Sequence, residues 1–279
     1  MGTSMSNFTD FISSGGGGGG LPVNIVLTSS QTWVPPVDGN ICIHVIGGGG
    51  GGVGTTGTPY SGGAGGYCKK NSLAVTTSGS FTVVVGAKGL GGDGGLGITG
   101  GNSTVAGTGL SATLTANGGS RATTSSDGAG GTASNGDVNN TGGAGNGSNE
   151  GGGGAVGIYG TGNSTYSRFK RGGESDAQAE GLESLSGYGY LVGGKAGKVT
   201  QRSSNFNSVN MPQYVEMDAG PLSGGAVFKD RSGNTDTWQK GGDGGIGGGG
   251  GGCRMSGDST RAIGGDGGSG CVIIQYLPA

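Results

Sequence analysis

The sequence predicts an all-β domain in which glycine-rich, extended rods of polyproline-II type pack as a sandwich, with essentially no helix beyond a short N-terminal turn. Three observations carry that expectation. Glycine supplies 77 of 279 residues, gathered into runs at 15–20, 47–52, 151–154 and 247–252, with mixed tracts at 62–66, 89–95 and 264–270. The apolar residues are clustered between the tracts, as in Ile41-Cys42-Ile43-His44-Val45-Ile46, Phe81-Thr82-Val83-Val84-Val85 and Cys271-Val272-Ile273-Ile274-Gln275-Tyr276. Such β-branched and aromatic runs are of strand length. Charged residues make only 11% and the net charge is -2, so the chain lacks the self-repulsion of disordered sequences, although its Gly and Pro content lies in the low-complexity range.

Taken in order, Phe8, Phe11 and Ile12 stand just before the first glycine run, a spacing that allows a short helical turn or an apolar plug on a tether. Residues 23–28 read as a strand, and 31–36 as a strand stopped by Pro35 and Pro36. A turn at 37–40 leads to the strand 41–46, which runs straight into glycine. A second β unit covers 67–70, 73–75 and 81–85, with a turn at 76–79. Residues 110–116 alternate Leu, Ala and Leu with Ser and Thr, as a half-buried strand does. Beyond Asn117 regular strands fade into longer segments at 155–171, 182–192, 199–218 and 226–240, before a closing strand at 269–276 that pairs near the chain's beginning to seal the domain. The expected division is an N-terminal tether over 1–30 and one glycine-rich domain over 31–279, with variable loops in 155–240. Helices are disfavoured because each glycine costs about 1 kcal/mol against alanine in a helix.

A glycine tract in the threefold polyproline-II form rises about 3.1 Å per residue, so six glycines make a rod of about 19 Å. Its N–H and C=O groups point sideways and need partners when buried. Only glycine lets such rods approach backbone to backbone. Lateral stacking as a slab, with the apolar strands as its conventional side, is the packing this predicts.

Several classes are excluded. Collagen needs a sustained G-X-Y period and abundant proline, and this chain has 7 prolines and no such period. No stretch reaches the roughly 18 consecutive apolar residues of a membrane helix, and residues 1–10 carry no secretory pattern. With 15 basic and 17 acidic residues there is no basic stripe for nucleic acid. Cys42, Cys68, Cys253 and Cys271 form no CxxC, and His44 is the single histidine, so no metal site or cofactor is expected and reduced thiols are the default.

Motifs with chemical content are weak. Residues 189–196 spell a phosphate-binding loop up to Ala196, where a hydroxyl is needed for magnesium. Gly-Gly-Asp-Gly-Gly recurs around Asp93, Asp243 and Asp266, at the wrong offset for a calcium β-roll, and reads as a turn or rod-end cap. His44 alternates with Ile43 and Val45 in a strand and reads as packed. Glu174, Asp176, Glu180 and Glu183 lie in a Gly/Ser-rich stretch that reads as solvated loop. The aromatics of the variable segments, Tyr159, Tyr166, Phe169, Phe206, Tyr214 and Trp238 among them, suit either a recognition surface or a core or subunit interface.

The run Thr32-Trp33-Val34-Pro35, then Ile41–Ile46 entering glycine, resembles the opening of glycine-rich domains in bacteriophage tail-fibre and other virion proteins. Gly62-Gly63-Ala64-Gly65-Gly66-Tyr67, Phe81–Gly86, Gly100-Gly101-Asn102-Ser103-Thr104 and the ending 264–274 continue the likeness. The chain is also similar to the glycine-sandwich adhesins of T-even-like phages, over about residues 31–115 and 264–276. The resemblance implies a non-enzymatic virion protein made in the host cytoplasm, a tail-fibre or tail-tip adhesin whose loops bind a host cell-surface protein or glycan. Tyr159, Tyr166, Phe169, Phe206, Tyr214 and Trp238 are then the receptor-binding candidates, and Phe8, Phe11 and Ile12 attach the chain to other virion proteins. A homotrimer without nucleic acid or membrane insertion is expected. The alternative is a capsid or tail decoration protein without receptor contact.

Overall fold

The computed structural model describes residues 24–146, 201–202, 225, 228–230, 239–254 and 262–277. The described residues contain strands and no helix. In chain order the strands are β1 (Asn24–Leu27), β2 (Gln31–Trp33), β3 (Gly39–Ile46), β4 (Gly54–Thr55), β5 (Tyr67–Val75), β6 (Phe81–Val84), β7 (Ser103–Gly107) and β8 (Leu114–Ala116). They continue with β9 (Ala133–Ser134), β10 (Val138–Asn140), β11 (Gln201–Arg202), β12 (Phe228–Asp230), β13 (Gln239–Lys240), β14 (Cys253–Arg254), β15 (Ala262–Ile263) and β16 (Cys271–Tyr276).

Two antiparallel five-stranded sheets form a sandwich, one in the order β1-β16-β3-β5-β10 and the other β2-β6-β7-β8-β9. Their facing sides carry one continuous core: Ile41, Ile43, Val45, Leu73, Val272 and Ile274 from the first sheet meet Trp33, Phe81, Val83, Val105 and Leu114 from the second. The alternation of the sequence selects these residues, since successive side chains of a strand point to opposite faces. Phe81 and Val83 are buried while Thr82 and Val84 are exposed. Trp33 and Phe81 sit opposite each other in register with ring centroids 5.5 Å apart. β1 pairs with β16 from Asn24↔Gln275 to Leu27↔Val272, so the two ends of the described chain lie side by side, as the sequence predicted.

The strands do not flank the glycine rods; they continue into them. β3 runs on as rod 47–53, β6 as 86–92, β8 as 117–122 and β10 as 142–145, all leaving the sandwich in one direction. Rods 60–66, 95–101, 128–132 and 262–270 return and enter β5, β7, β9 and β16. The expectation of a slab with the apolar strands along its side is corrected here: sandwich and rods are coaxial.

The rods form a hexagonal lattice. Rod 47–53 is its centre, and its hydrogen bonds rotate with a period of three, as a threefold backbone requires. The N–H groups of Gly47, Gly50 and Val53 donate to the carbonyls of Gly66, Gly63 and Tyr60. Those of Gly48, Gly51 and Gly54 donate to Gly101, Ile98 and Gly95, and those of Gly49 and Gly52 to Gly268 and Gly265. Its carbonyls accept from three further rods: Gly49 and Gly52 from the N–H of Gly89 and Gly92, Gly48 and Gly51 from Gly119 and Ala122, Gly50 and Val53 from Gly250 and Cys253. The acceptor rods run antiparallel to the centre and the donor rods parallel.

These six neighbours also bond to one another in a closed ring. The N–H of Ile98 donates to the carbonyl of Leu90, Gly100 donates to Gly119, Gly63 to Ser120, Gly62 to Gly250, Gly265 to Gly251 and Gly267 to Gly89. Going round the ring, chain direction alternates at every step. A centre so surrounded has no room for side chains: a Cβ built on Gly49, Gly50, Gly51 or Gly52 would come within 3.0 Å of a carbonyl group of the adjoining rod.

Candidate functional site

The lattice gives the molecule two unlike ends. At one end the sandwich holds the entry at β1 and the exit at β16. At the other, the connections between outgoing and returning rods emerge: 54–59, 93–94 and 123–127. Rod 142–145 also points this way. Four short strands extend there in parallel, in the order β11-β12-β14-β4, with β4 and β14 prolonging rods 47–53 and 247–253. Their register sets Thr55, Arg254, Lys229 and Gln201 in one row.

All six receptor-binding candidates, Tyr159, Tyr166, Phe169, Phe206, Tyr214 and Trp238, lie outside the described residues, as do the attachment candidates Phe8, Phe11 and Ile12. The phosphate-loop-like residues 189–196 and the carboxylates Glu174, Asp176, Glu180 and Glu183 lie outside them too. What the structure places is the frame: the segments bearing the six aromatics are inserted after the outgoing rod 142–145 and before β13.

The chemically suggestive side chains that are described form an inert cluster on the outer face of the first sheet. His44 is buried, its Nδ1 shares a hydrogen bond with the Tyr67 hydroxyl at 2.7 Å, and its Nε2 lies 3.3 Å from Cys42 Sγ. Burial lowers the His44 imidazole to about 4, helped by the Lys69 ammonium and opposed by a hydrogen bond with Gln275. Burial raises the Cys42 thiol to about 11, against the opposing pull of Lys69. At neutral pH both are uncharged, so the pair holds neither a thiolate nucleophile nor an imidazolium. Cys68 and Cys271 are likewise pushed up to about 12 by burial, and none of the four buried cysteines is in a disulfide. Among the described residues no group of three or more His, Cys, Asp or Glu could hold a metal ion.

The recurrent aspartates take a specific role at the lattice edge. Where a rod faces no further rod, a side chain accepts its N–H. Asp266 Oδ1 accepts from Gly91 N–H at 2.9 Å and Oδ2 from Lys88 Nζ at 2.8 Å. Asp243 accepts from the backbone N–H of Asp266 at 2.7 Å and pairs with Lys240. Asp127 takes the N–H of Ser61, and Asn102 that of Gly118. These caps lie along the flanks of rods as well as at their ends. Sequence reasoning did not single out Ser61, Ser103, Asp127 or Asn102; the signal was a polar residue bordering a glycine tract.

Residues 25–277 match the family described as a glycine-rich domain. No curated protein matches the chain.

Proposed function

The chain belongs to the glycine-rich domain family, and from that premise we propose that it is a non-enzymatic bacteriophage virion protein, a tail-fibre or tail-tip adhesin presenting loops to a host-surface receptor. The observation that carries the reading is the polarity of the lattice: hydrogen-bonded rods project from the sandwich, and rod 142–145 runs to a second end where β11, β12, β14 and β4 lie in parallel. A hydrogen-bonded rod bundle holds loops far from the point of attachment with little freedom to recoil. Several weak loop contacts on such a support, multiplied by oligomerisation into a trimer, raise avidity without new chemistry. The neutral state of His44 and Cys42 is in keeping with a binding role.

In this reading Tyr159, Tyr166, Phe169, Phe206, Tyr214 and Trp238 supply contacts to a host protein or glycan, and Phe8, Phe11 and Ile12 join the chain to other virion proteins. Deletion within 199–218 tests it. The shortened protein is expected to keep its far-ultraviolet spectrum and oligomeric state while losing adsorption to susceptible cells. Undiminished adsorption by the deletion variant would overturn the adhesin reading. So would an intact protein that ignores cells and labels particles uniformly over the head, which is the behaviour of a decoration protein.

A further inference from the structure

A chain made of glycine is rich in Asx-Gly pairs, the bonds at which side chain and backbone cyclise most readily because glycine leaves the following nitrogen unshielded. The described residues include Asn117-Gly118, Asn135-Gly136, Asp93-Gly94, Asp127-Gly128, Asp243-Gly244 and Asp266-Gly267. Cyclisation needs the glycine N–H released and swung onto the preceding side chain. In the lattice that release breaks structure on several sides. Gly128, Gly244 and Gly267 donate to the backbone carbonyls of Ser61, Asp266 and Gly89. The acidic partners are held elsewhere: Asp127 by Ser61 N–H, Asp243 by Asp266 N–H and Lys240, Asp266 by Gly91 N–H and Lys88. Gly94 donates to the carbonyl of Ala262.

The two Asn-Gly pairs that lie wholly within the described residues differ in how the backbone around them is held. Asn117 begins rod 117–122: its N–H donates to the Thr132 carbonyl, its carbonyl accepts from Gly66, and its Nδ2 donates to Thr132 Oγ1 at 2.9 Å. The Gly118 N–H also goes to a side-chain amide, Asn102 Oδ1, but the Asn117 backbone is bonded to rods on two sides. A Cβ on Gly118 would overlap the Gly100 carbonyl, a tighter clash than the 2.7 Å to the Val138 carbonyl oxygen at Gly136. Asn135 stands instead in the exposed connection between β9 and β10, with φ of 67°, the left-handed region that a non-glycine residue adopts at a cost. Its side chain is held by one bond, Nδ2 to the Thr113 carbonyl at 2.8 Å. The Gly136 N–H donates at 3.0 Å to Asn139 Oδ1 and its carbonyl accepts from Asn139 Nδ2 at 2.8 Å, so one exposed side-chain amide from β10 holds this residue.

We propose that Asn135 is a site of spontaneous deamidation, and that the glycine lattice protects the Asx-Gly pairs built into it. The Gly136 nitrogen attacks Asn135 Cγ; the N–Cγ bond forms, the Cγ–Nδ2 bond breaks, and ammonia leaves carrying the amide proton. Water then opens the succinimide ring to aspartate or isoaspartate. The product adds a carboxylate two residues from Asp137, which already binds Lys70 Nζ and the Asn71 N–H at the sandwich end.

The test is ageing of the full chain at mildly alkaline pH and body temperature, followed by peptide mapping with isoaspartate detection and fragmentation to place each event. Cleavage after Arg121 puts Asn117 and Asn135 on different peptides. A parallel incubation in denaturant gives the unprotected rates. The native protein is expected to convert Asn135 within about threefold of its denatured rate and to slow Asn117 by about tenfold or more, since exchange through local opening is fast and through lattice opening rare. Asn135→Gly, which suits the positive φ, removes the native isoaspartate signal from that position and leaves the fold intact. Native conversion of Asn117 as fast as Asn135, or an Asn135 that stays intact in the folded protein, overturns the proposal.

Discussion

Gly49 and Gly248 approach so closely that a methyl group on Gly49 would overlap the Gly248 carbonyl, and the Gly49 N–H meanwhile donates to Gly268 at 2.8 Å. Backbone meets backbone on every side of this residue. Gly49→Ala therefore forces two rods apart and weakens hydrogen bonds on both, which places it among core overpacking substitutions costing about 1–3 kcal/mol or more. Gly95 makes the matched control, because a Cβ there meets nothing within 4 Å. Gly95→Ala is expected to change stability by less than about 0.5 kcal/mol. Denaturant midpoints of the two variants check the contrast; equal midpoints would show that the lattice is not close-packed at Gly49.

The strands were legible because their side chains differ. The β-branched runs around Ile43, Val83 and Ile273 mark strands, and their positions agree with β3 and β16, which are buried on both faces, and with β6, which alternates buried and exposed. The pairing of β1 with β16 followed from the same signal. β7 was missed: Ser103-Thr104-Val105-Ala106-Gly107 has one strong apolar residue and follows a glycine pair, so it reads as loop until its neighbours β6 and β8 supply pairing on both edges. The rods were legible as rods, but their ring was not. One glycine tract carries no mark distinguishing it from another, so the choice of neighbours is fixed by the strands each tract extends. The candidate contacts from Tyr159 to Trp238 rest on sequence alone and lie outside the described residues.

Ser103 joins the two parts of the fold. Its buried hydroxyl donates to the Ile46 carbonyl at 2.6 Å and accepts from Gly86 N–H at 2.9 Å, at the level where β3 and β6 become rods. Ser103→Ala leaves a buried acceptor and a buried donor without partners, each costing about 1–3 kcal/mol. The variant is expected to unfold earlier and to show faster hydrogen exchange at Gly86. Unchanged exchange there would mean that water takes over the hydroxyl's role.

Acid sensitivity follows from His44. Its folded-state value, about 4, lies below the ordinary 6.5 because burial and then the nearby Lys69 ammonium disfavour the charged ring, outweighing the hydrogen bond with Gln275. Above pH 6.5 the ring is neutral in folded and unfolded chains and contributes no pH dependence. Between 6.5 and about 4 the unfolded chain takes up a proton that the folded one refuses, so stability falls as pH falls. At 1.36 kcal/mol per unit the loss reaches about 3 kcal/mol by the lower limit. Because His44 is the single histidine, His44→Gln isolates the effect. Unfolding free energies measured at about pH 7 and about pH 4.5 should differ less in the variant than in the parent. Identical differences would assign the acid sensitivity to carboxylates instead.

The carboxylate of Asp266 separates two contributions at the lattice edge. Burial pushes its pKa upward, but the Gly91 N–H and the Lys88 ammonium outweigh that and hold it below the ordinary carboxylate range. Lys88 is about half exposed, so the ion pair itself is worth little in water. The N–H of Gly91 has no rod to bond on that side, and its loss of an acceptor is the larger effect. Asp266→Asn, which keeps an acceptor oxygen, is therefore expected to cost under about 1 kcal/mol, and Asp266→Ala about 1–3 kcal/mol. Added salt should weaken the parent by only a few tenths of a kcal/mol through the Lys88 pair, as through the other partly exposed pairs, Lys70–Asp137 and Lys240–Asp243. Equal losses in the two variants would mean that charge, not the capping of the rod, is what Asp266 provides.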